Sequence, residues 1–249
     1  SVRKRPQVVI IPTGDELVPL GKAQKPGDII EFNSLVLSGL FKEWGAEVTV
    51  LEAIPDNYSQ LRTTINSVIN AYDIVVVNAG SSAGSKDYTA PLIEELGEVV
   101  VHGAAIRPGH PIVLGIVKNK PVFGIPGYPV SAVLTSEIFV RPLIDAKLGT
   151  PTPIKNTVQA TISRKVLSPI GEDEFLRVKL GSVGNKIVAT PMQRGAGVIM
   201  SLVRADGLVR IPRFSEGFDV GKCVTIELLK PIDEIRNTIV TIGSHDLTL

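Results

Sequence analysis

The sequence predicts an α/β fold, a sheet with helices on both faces, followed by a small all-β module. Three observations predict it. Residues 8–11 and 74–77 are four-residue β-branched runs, too short for helices and apolar at every position, as strands buried on both faces are. Such strands alternate with helix-length segments in the order strand, helix, strand, helix, strand, loop, helix, the signature of a parallel sheet covered on both sides. Beyond Pro151 and Pro153 helical periodicity stops, and alternating β-branched segments between turns continue for about 80 residues, as in a barrel or sandwich.

Taken in order, residues 8–11 form the first strand, which runs into Thr13-Gly14-Asp15-Glu16-Leu17. Two carboxylates just past a strand end suit a divalent metal or an oriented water, although an Asp there also caps turns. Asn33 is placed to cap a helix through Trp44, which Gly45 stops. Residues 47–53 form the second strand, and Asp56 or Ser59 then caps a helix that runs to Ala71. Residues 98–102 are a further strand, leading into Arg107-Pro108-Gly109-His110. Flanking a rigid Pro-Gly turn, Arg107 and His110 point two donors at one oxyanion. Residues 112–117 and 121–125 make a hairpin around Lys118-Asn119. A helix over 130–148, bent at Pro142 and stopped by Gly149, closes the first domain.

The β module has strands at 157–162, 174–180, 186–190, 206–211 and 223–229, with turns such as Gly184-Asn185 and Asp206-Gly207. Arg194-Gly195-Ala196-Gly197 is polar enough for a site and equally suited to a turn. Pro231 ends the module, so the domains are 1–150 (α/β), 151–231 (all-β) and a terminal 232–249.

Composition narrows the function classes. The 249 residues suffice for two domains with real cores, and 44% hydrophobic with 20% charged is ordinary for globular α/β proteins. A net charge of +1 gives no bulk electrostatic case for nucleic acid or an anionic membrane. Residues 1–6 are basic but are not followed by the apolar h-region of a secretory signal, and no run approaches the ~18 apolar residues of a membrane span. The single cysteine, Cys223, excludes an intramolecular disulfide and a cysteine zinc cluster. A cytoplasmic location is expected.

The chemistry concentrates at two strand-loop-helix junctions. After the strand 74–77, every residue from Ala79 to Ser85 is small, and a helix-capable run follows from Tyr88. In open α/β sheets ligands bind beyond the carboxyl ends of the strands, and small residues let backbone N–H groups approach an anion. Residues 122–132 repeat the plan, with Pro126-Gly127-Tyr128-Pro129 as the turn and Pro129 in the first helical turn. Two such junctions suit a ligand with two polar ends, a phosphate and another oxyanion. Asp15 with Glu16, Asp56 and Asp87 each follow a strand's carboxyl end, which puts them on one rim.

Five motifs, in this order and spacing, resemble one family. They are Thr13-Gly14-Asp15-Glu16-Leu17, Asp56, Gly80-Ser81-Ser82-Ala83-Gly84 with Asp87, Arg107-Pro108-Gly109-His110-Pro111, and Pro126-Gly127-Tyr128-Pro129-Val130-Ser131. The chain is similar over residues 7 to about 231 to the C-terminal part of the MoeA/gephyrin E-domain family, the molybdopterin molybdenumtransferases. The resemblance implies a three-layer αβα molybdopterin-binding domain followed by a small all-β barrel domain. It implies molybdenum cofactor biosynthesis: hydrolysis of adenylylated molybdopterin with Mg2+ or another divalent cation, and insertion of molybdate.

On the matching positions, the resemblance gives metal binding to Asp15 and Asp56, and catalysis to Glu16, Asp56 and Asp87. Gly80, Ser81, Ser82, Gly84, Ser85, Gly127, Tyr128 and Ser131 would bind substrate, with Arg107 and His110 on the oxyanion. The family usually has lysines where Arg107 and His110 stand, and asparagine at Tyr128, where the larger ring narrows the pocket or stacks on the pterin. The alternative reading is therefore a non-catalytic module of a fused protein that binds or senses molybdopterin or molybdate. Gly243-Ser244-His245-Asp246 resembles the start of a periplasmic-binding-protein-like domain. The resemblance also implies a homodimer for the full-length protein, its N-terminal domains completing the site across the dimer.

Overall fold

A computed structural model describes residues 2–79 and 88–238. The chain divides into two compact units, 1–104 with 109–153, and 105–108 with 154–249.

The first unit opens with β1 (Gln7–Thr13), a short parallel pair β2 (Leu17–Pro19) and β3 (Ile29–Glu31), and α1 (Asn33–Glu43). There follow β4 (Glu47–Val50), α2 (Tyr58–Val68), β5 (Ile74–Ala79), α3 (Thr89–Leu96) and β6 (Glu98–His102). The two-residue β7 (Ile106–Arg107) pairs in the second unit. β8 (Val113–Val117), β9 (Lys120–Pro126), α4 (Pro129–Thr135), a π-helical turn (Ser136–Val140) and α5 (Arg141–Leu148) complete the unit.

The sheet order is β4-β1-β5-β9-β8-β6. β4, β1, β5 and β9 are parallel, while β8 and β6 add antiparallel strands at one side. Alternate residues of the apolar strands feed two cores. Val9, Ile11, Val75 and Val77 pack with Leu61, Ile65, Leu92 and Ile93 on one face; Val8, Ile10, Ile74 and Val76 pack with Leu37, Phe41, Val140 and Ile144 on the other. That is the three-layer arrangement, and it explains why neither strand has a polar side.

Local signals divide into those that hold and those that tertiary contacts override. Lys118 and Asn119 both adopt positive φ (47° and 61°), the two-residue turn of the expected β8–β9 hairpin. Asn33 does not cap α1: its Nδ2 donates to the Gly127 carbonyl (2.5 Å), and Glu31 Oε1 instead accepts from the Ser34 N–H (2.9 Å). Neither Asp56 nor Ser59 caps α2; Asn57 does, its Oδ1 accepting from the Gln60 N–H at 3.0 Å. Around Pro142, which has no N–H to continue the helical ladder, the helix widens into the π turn before α5, and Gly149 ends α5 with φ +75°.

The second unit contains β10 (Thr157–Ile162), β11 (Val166–Leu167), β12 (Asp173–Val183), β13 (Lys186–Pro191), β14 (Gly207–Ile211), β15 (Gly217–Phe218) and β16 (Cys223–Leu228). Its order β13-β10-β16-β14-β12 is closed by pairing of β12 with β13, giving a five-stranded barrel. The interior is filled by Ala160, Ile162, Leu176, Val178, Leu180, Val209, Ile211, Val224 and Ile226.

Helix is not absent here, as the sequence pattern suggests. Two five-residue helices, α6 (Met200–Arg204) and α7 (Ile232–Arg236), are too short for periodicity to reveal them. Ile235 of α7 is buried with the barrel core, so packing continues past Pro231. Asp206-Gly207 is not an open turn. Asp206 is buried at the start of β14, and a Cβ on Gly207 would meet the Glu227 carbonyl oxygen at 2.8 Å. No helix among the described residues is long and apolar enough to cross a membrane.

Candidate site at the carboxyl rim of the sheet

The carboxyl ends of the parallel strands β1, β4, β5 and β9 lie on one rim, and the loops leaving them are tied together. After β1, the Gly14 N–H donates to the Ile54 carbonyl (3.1 Å) and the Ile54 N–H to the Pro12 carbonyl (3.0 Å), so the β4 loop runs alongside. The Asp56 N–H donates to Asp15 Oδ1 at 3.1 Å. Two of the predicted rim acids are therefore neighbours, brought together by backbone contacts. Glu16 belongs to the same segment, its carbonyl accepting from the Ile29 N–H (2.8 Å). Among the described residues no group of three or more His, Cys, Asp or Glu stands ready to hold a metal.

Gly80, Ser81, Ser82, Gly84, Ser85 and Asp87 lie outside the described residues, so the small-residue loop and the third rim acid enter only through the residues that flank them. Before the loop, Asn78 is 4% exposed, and its Nδ2 reaches the carbonyls of Ile125 (3.3 Å) and Pro126 (3.2 Å). A buried amide makes these contacts because β5 and β9 pair through Asn78 and Ile125. Asn78→Ala should cost the fold about 1–2 kcal/mol, since it removes two hydrogen bonds from a water-poor position. Thermal melting of the variant checks this; an unchanged midpoint would mean that the amide contributes nothing to the junction.

At the second junction, Gly127 is braced by Asn33, and Tyr128 is the N-cap residue of α4, its carbonyl accepting from the Ala132 N–H (2.8 Å). Ser131 is buried in the first turn of α4, with its carbonyl engaged by Thr135 Oγ1 (2.7 Å). Tyr128 keeps 48% of its surface exposed.

Arg107 and His110 fall in different units. The His110 carbonyl accepts from the Ala104 N–H (2.8 Å) within the α/β unit. Arg107 extends the barrel's β12, and its Nε donates to Glu172 Oε2 at 3.1 Å. The pairing of β7 with β12 is a contact that residue spacing does not encode.

Sequence reading also passed over Arg177. It is 3% exposed on β12, and its Nη2 donates to the carbonyls of Gln193 (3.3 Å) and Gly195 (3.2 Å). Among the described residues Nε and Nη1 are buried without a partner, and burial lowers the guanidinium pKa against the opposing pull of Glu174. Glu174, also buried, is held by Arg194 at 2.5 and 3.1 Å. The sequence carries no signal of this, because an arginine between Leu176 and Val178 in an alternating strand reads as an outward position.

Comparison with known proteins agrees with this geometry. Residues 9–146 match the family described as "Probable molybdopterin binding domain", and residues 159–229 match the "MoeA C-terminal region (domain IV)". A Methanocaldococcus jannaschii protein assigned by name to molybdopterin biosynthesis is 34% identical over 229 residues, 89% of this chain and 54% of that protein. The molybdopterin molybdenumtransferase of Haemophilus influenzae is 29% identical over 225 residues, covering 89% of this chain and 55% of its own. The structure of the molybdopterin biosynthesis MoeA protein from Pyrococcus horikosii superposes with a TM-score of 0.77 at 38% identity, over 91% of this chain and 55% of that one. The chain spans about half the length of these relatives. With a three-layer domain and a five-stranded barrel matched in order along one chain, this protein belongs to the molybdopterin-binding MoeA family.

Proposed function

We propose that the chain is the pterin-binding part of a molybdopterin molybdenumtransferase, which takes adenylylated molybdopterin, releases AMP and accepts molybdate. The observation that carries this reading is the meeting of Asp15 and Asp56 at the sheet rim, in a chain of a molybdopterin-binding family. Two carboxylates are hard oxygen donors, and Mg2+ is commonly held through one or two carboxylates plus substrate phosphate. Asp15 and Asp56 fit that donor set, with Asp87 and Glu16 assigned to the same work from the sequence. When bound, Mg2+ neutralises charge developing on the phosphate oxygens. Asp56 and Glu16 orient the attacking water and take its proton.

Backbone amides of Gly80, Ser81, Ser82, Gly84 and Ser85, with Gly127 and Ser131 at the second junction, hold the substrate's anionic ends. His110 keeps its oxyanion role in the α/β unit. Arg107 in the barrel unit keeps its role as a separate proposal, and Arg177 joins the basic groups of that unit. The reading carries with it a cytoplasmic location and a homodimeric full-length protein.

Calorimetric titration tests it. Molybdopterin should bind, molybdate should give heat only once the pterin is in place, and Mg2+ should strengthen binding of the adenylylated form. No heat with molybdopterin would overturn the reading. Binding of molybdate without AMP release from adenylylated molybdopterin, in the full-length protein, would instead favour the sensing module.

A further inference from the structure

We infer that Tyr128 is a preformed stacking platform for the planar heterocycle of the substrate, an inference that rests on the reading above. The backbone that carries this ring is held on several sides. Asn33 Nδ2 fixes the Gly127 carbonyl (2.5 Å), Asn78 Nδ2 fixes the carbonyls of Ile125 and Pro126, and the carbonyl of Tyr128 itself accepts from Ala132. Pro129 follows directly, restricting Tyr128 to its extended conformation (φ −71°, ψ 127°).

The ring has a different environment from its backbone. Its neighbours Pro129, Val130 and Ser131 are all at or below 3% exposure or otherwise buried, yet Tyr128 is 48% exposed. Two other tyrosines beside rim loops, Tyr58 and Tyr88, are spent internally: their rings pack edge-on (5.8 Å between centroids), and the Tyr58 hydroxyl donates to Glu95. Tyr128 has an exposed ring on a fixed base at the rim where β9 ends. Because a tyrosine has few rotatable bonds and its base is already ordered, stacking a flat ligand on it demands little further ordering. A small side chain could offer hydrogen bonds here but no apolar face, so Tyr128 sets preference for a planar ring rather than for phosphate.

Adenylylated molybdopterin offers two planar systems, the pterin and the adenine, and three probes separate them: pterin-6-carboxylate, AMP and inorganic phosphate. The 249-residue chain, Tyr128→Phe and Tyr128→Ala are titrated with each, following affinity and the proton shifts of the heterocycle by NMR. The platform predicts upfield-shifted ring protons for the parent and Tyr128→Phe. In Tyr128→Ala that shift should vanish and affinity should fall about 10-fold, the usual scale of base–aromatic stacking. Phosphate affinity should stay equal across all three proteins, which also shows that Tyr128→Ala is folded.

Loss confined to pterin-6-carboxylate assigns the pterin to Tyr128, and loss confined to AMP assigns the adenine. If the parent binds both heterocycles and Tyr128→Ala binds them equally well without a change in shift, the platform is overturned while the proposed function stands. If the parent binds phosphate but neither heterocycle, the proposed function fails and the platform with it.

Discussion

Asp206→Ala is expected to destabilise the barrel unit by about 3 kcal/mol, enough to lower its melting temperature by roughly 10–20 °C for a unit of this size. Asp206 is 5% exposed and accepts from Lys179 Nζ (2.9 Å), Lys230 Nζ (2.8 Å) and the Leu180 N–H (3.0 Å). Its own N–H donates to Val178, so it joins β12, the start of β14 and the segment after β16. Removing the carboxylate leaves the buried Leu180 N–H without its acceptor. It also leaves two ammonium groups facing each other, although these are partly solvated, which keeps the cost below that of a fully buried pair.

Burial alone would raise the Asp206 pKa, but hydrogen bonds from Lys230, the Leu180 N–H and Lys179 outweigh it and hold the group below its usual range. A carboxylate with a depressed folded-state pKa contributes stability that is fully present above the unfolded pKa near ~3.9. That contribution is lost as pH falls through the folded value. Denaturant titrations at pH 7 and at descending acidic pH should therefore show the gap between parent and Asp206→Ala closing in acid. Asp173, which is also depressed, keeps part of the acid sensitivity in the variant. A gap that stays constant with pH would mean that Asp206 acts through packing and not through its charge.

Where the sequence is legible, one local rule and the global fold agree. Strands apolar at every position demanded two covered faces, and residues 74–77 supply both cores alternately. Lys118-Asn119 sits between two strand-like runs, and the turn forms. The rim placement of Asp15 and Asp56 followed from strand order alone. Legibility fails where a side chain is claimed by something distant in sequence. Asn33 has every local qualification for a cap, but it reaches a carbonyl 94 residues away, and a glutamate two residues earlier takes over the cap. Arg107 pairs with Glu174 of β12, a partner distant in sequence that residue spacing does not show. Asn78 and Arg177 were overlooked for the opposite reason, since a polar residue in a strand pattern reads as an outward position until its burial is known.

Asp56→Asn should reduce AMP release from adenylylated molybdopterin by on the order of 100-fold or more, the usual contribution of a positioned general base, and more if a metal ligand is lost as well. The contact that holds the β4 loop against β1 runs from the Asp56 backbone N–H to Asp15 Oδ1, so replacing the Asp56 side chain leaves that bond intact. The Ile54 hydrogen bonds that fix the same loop are also main-chain. A melting temperature equal to the parent's would show that lost activity reports on the carboxylate and not on a displaced loop.

Asp15→Asn keeps an Oδ1 acceptor for the Asp56 N–H and should preserve the loop in the same way, while weakening Mg2+ binding. The measurements are AMP release with Mg2+, in this chain and in the full-length protein, and affinity for the adenylylated pterin without Mg2+. The chain alone should bind yet release AMP more slowly than the full-length protein, because small misplacements of reacting groups can cost on the order of 100-fold and the resemblance assigns part of the enclosure to N-terminal domains. In either form, Asp56→Asn should bind the adenylylated pterin as the parent does without Mg2+ and fail in turnover. Turnover at the parent rate would remove the carboxylate from the mechanism and leave Asp56 as a loop residue. Equal loss of metal-free binding and turnover would place it in substrate recognition and not in water activation.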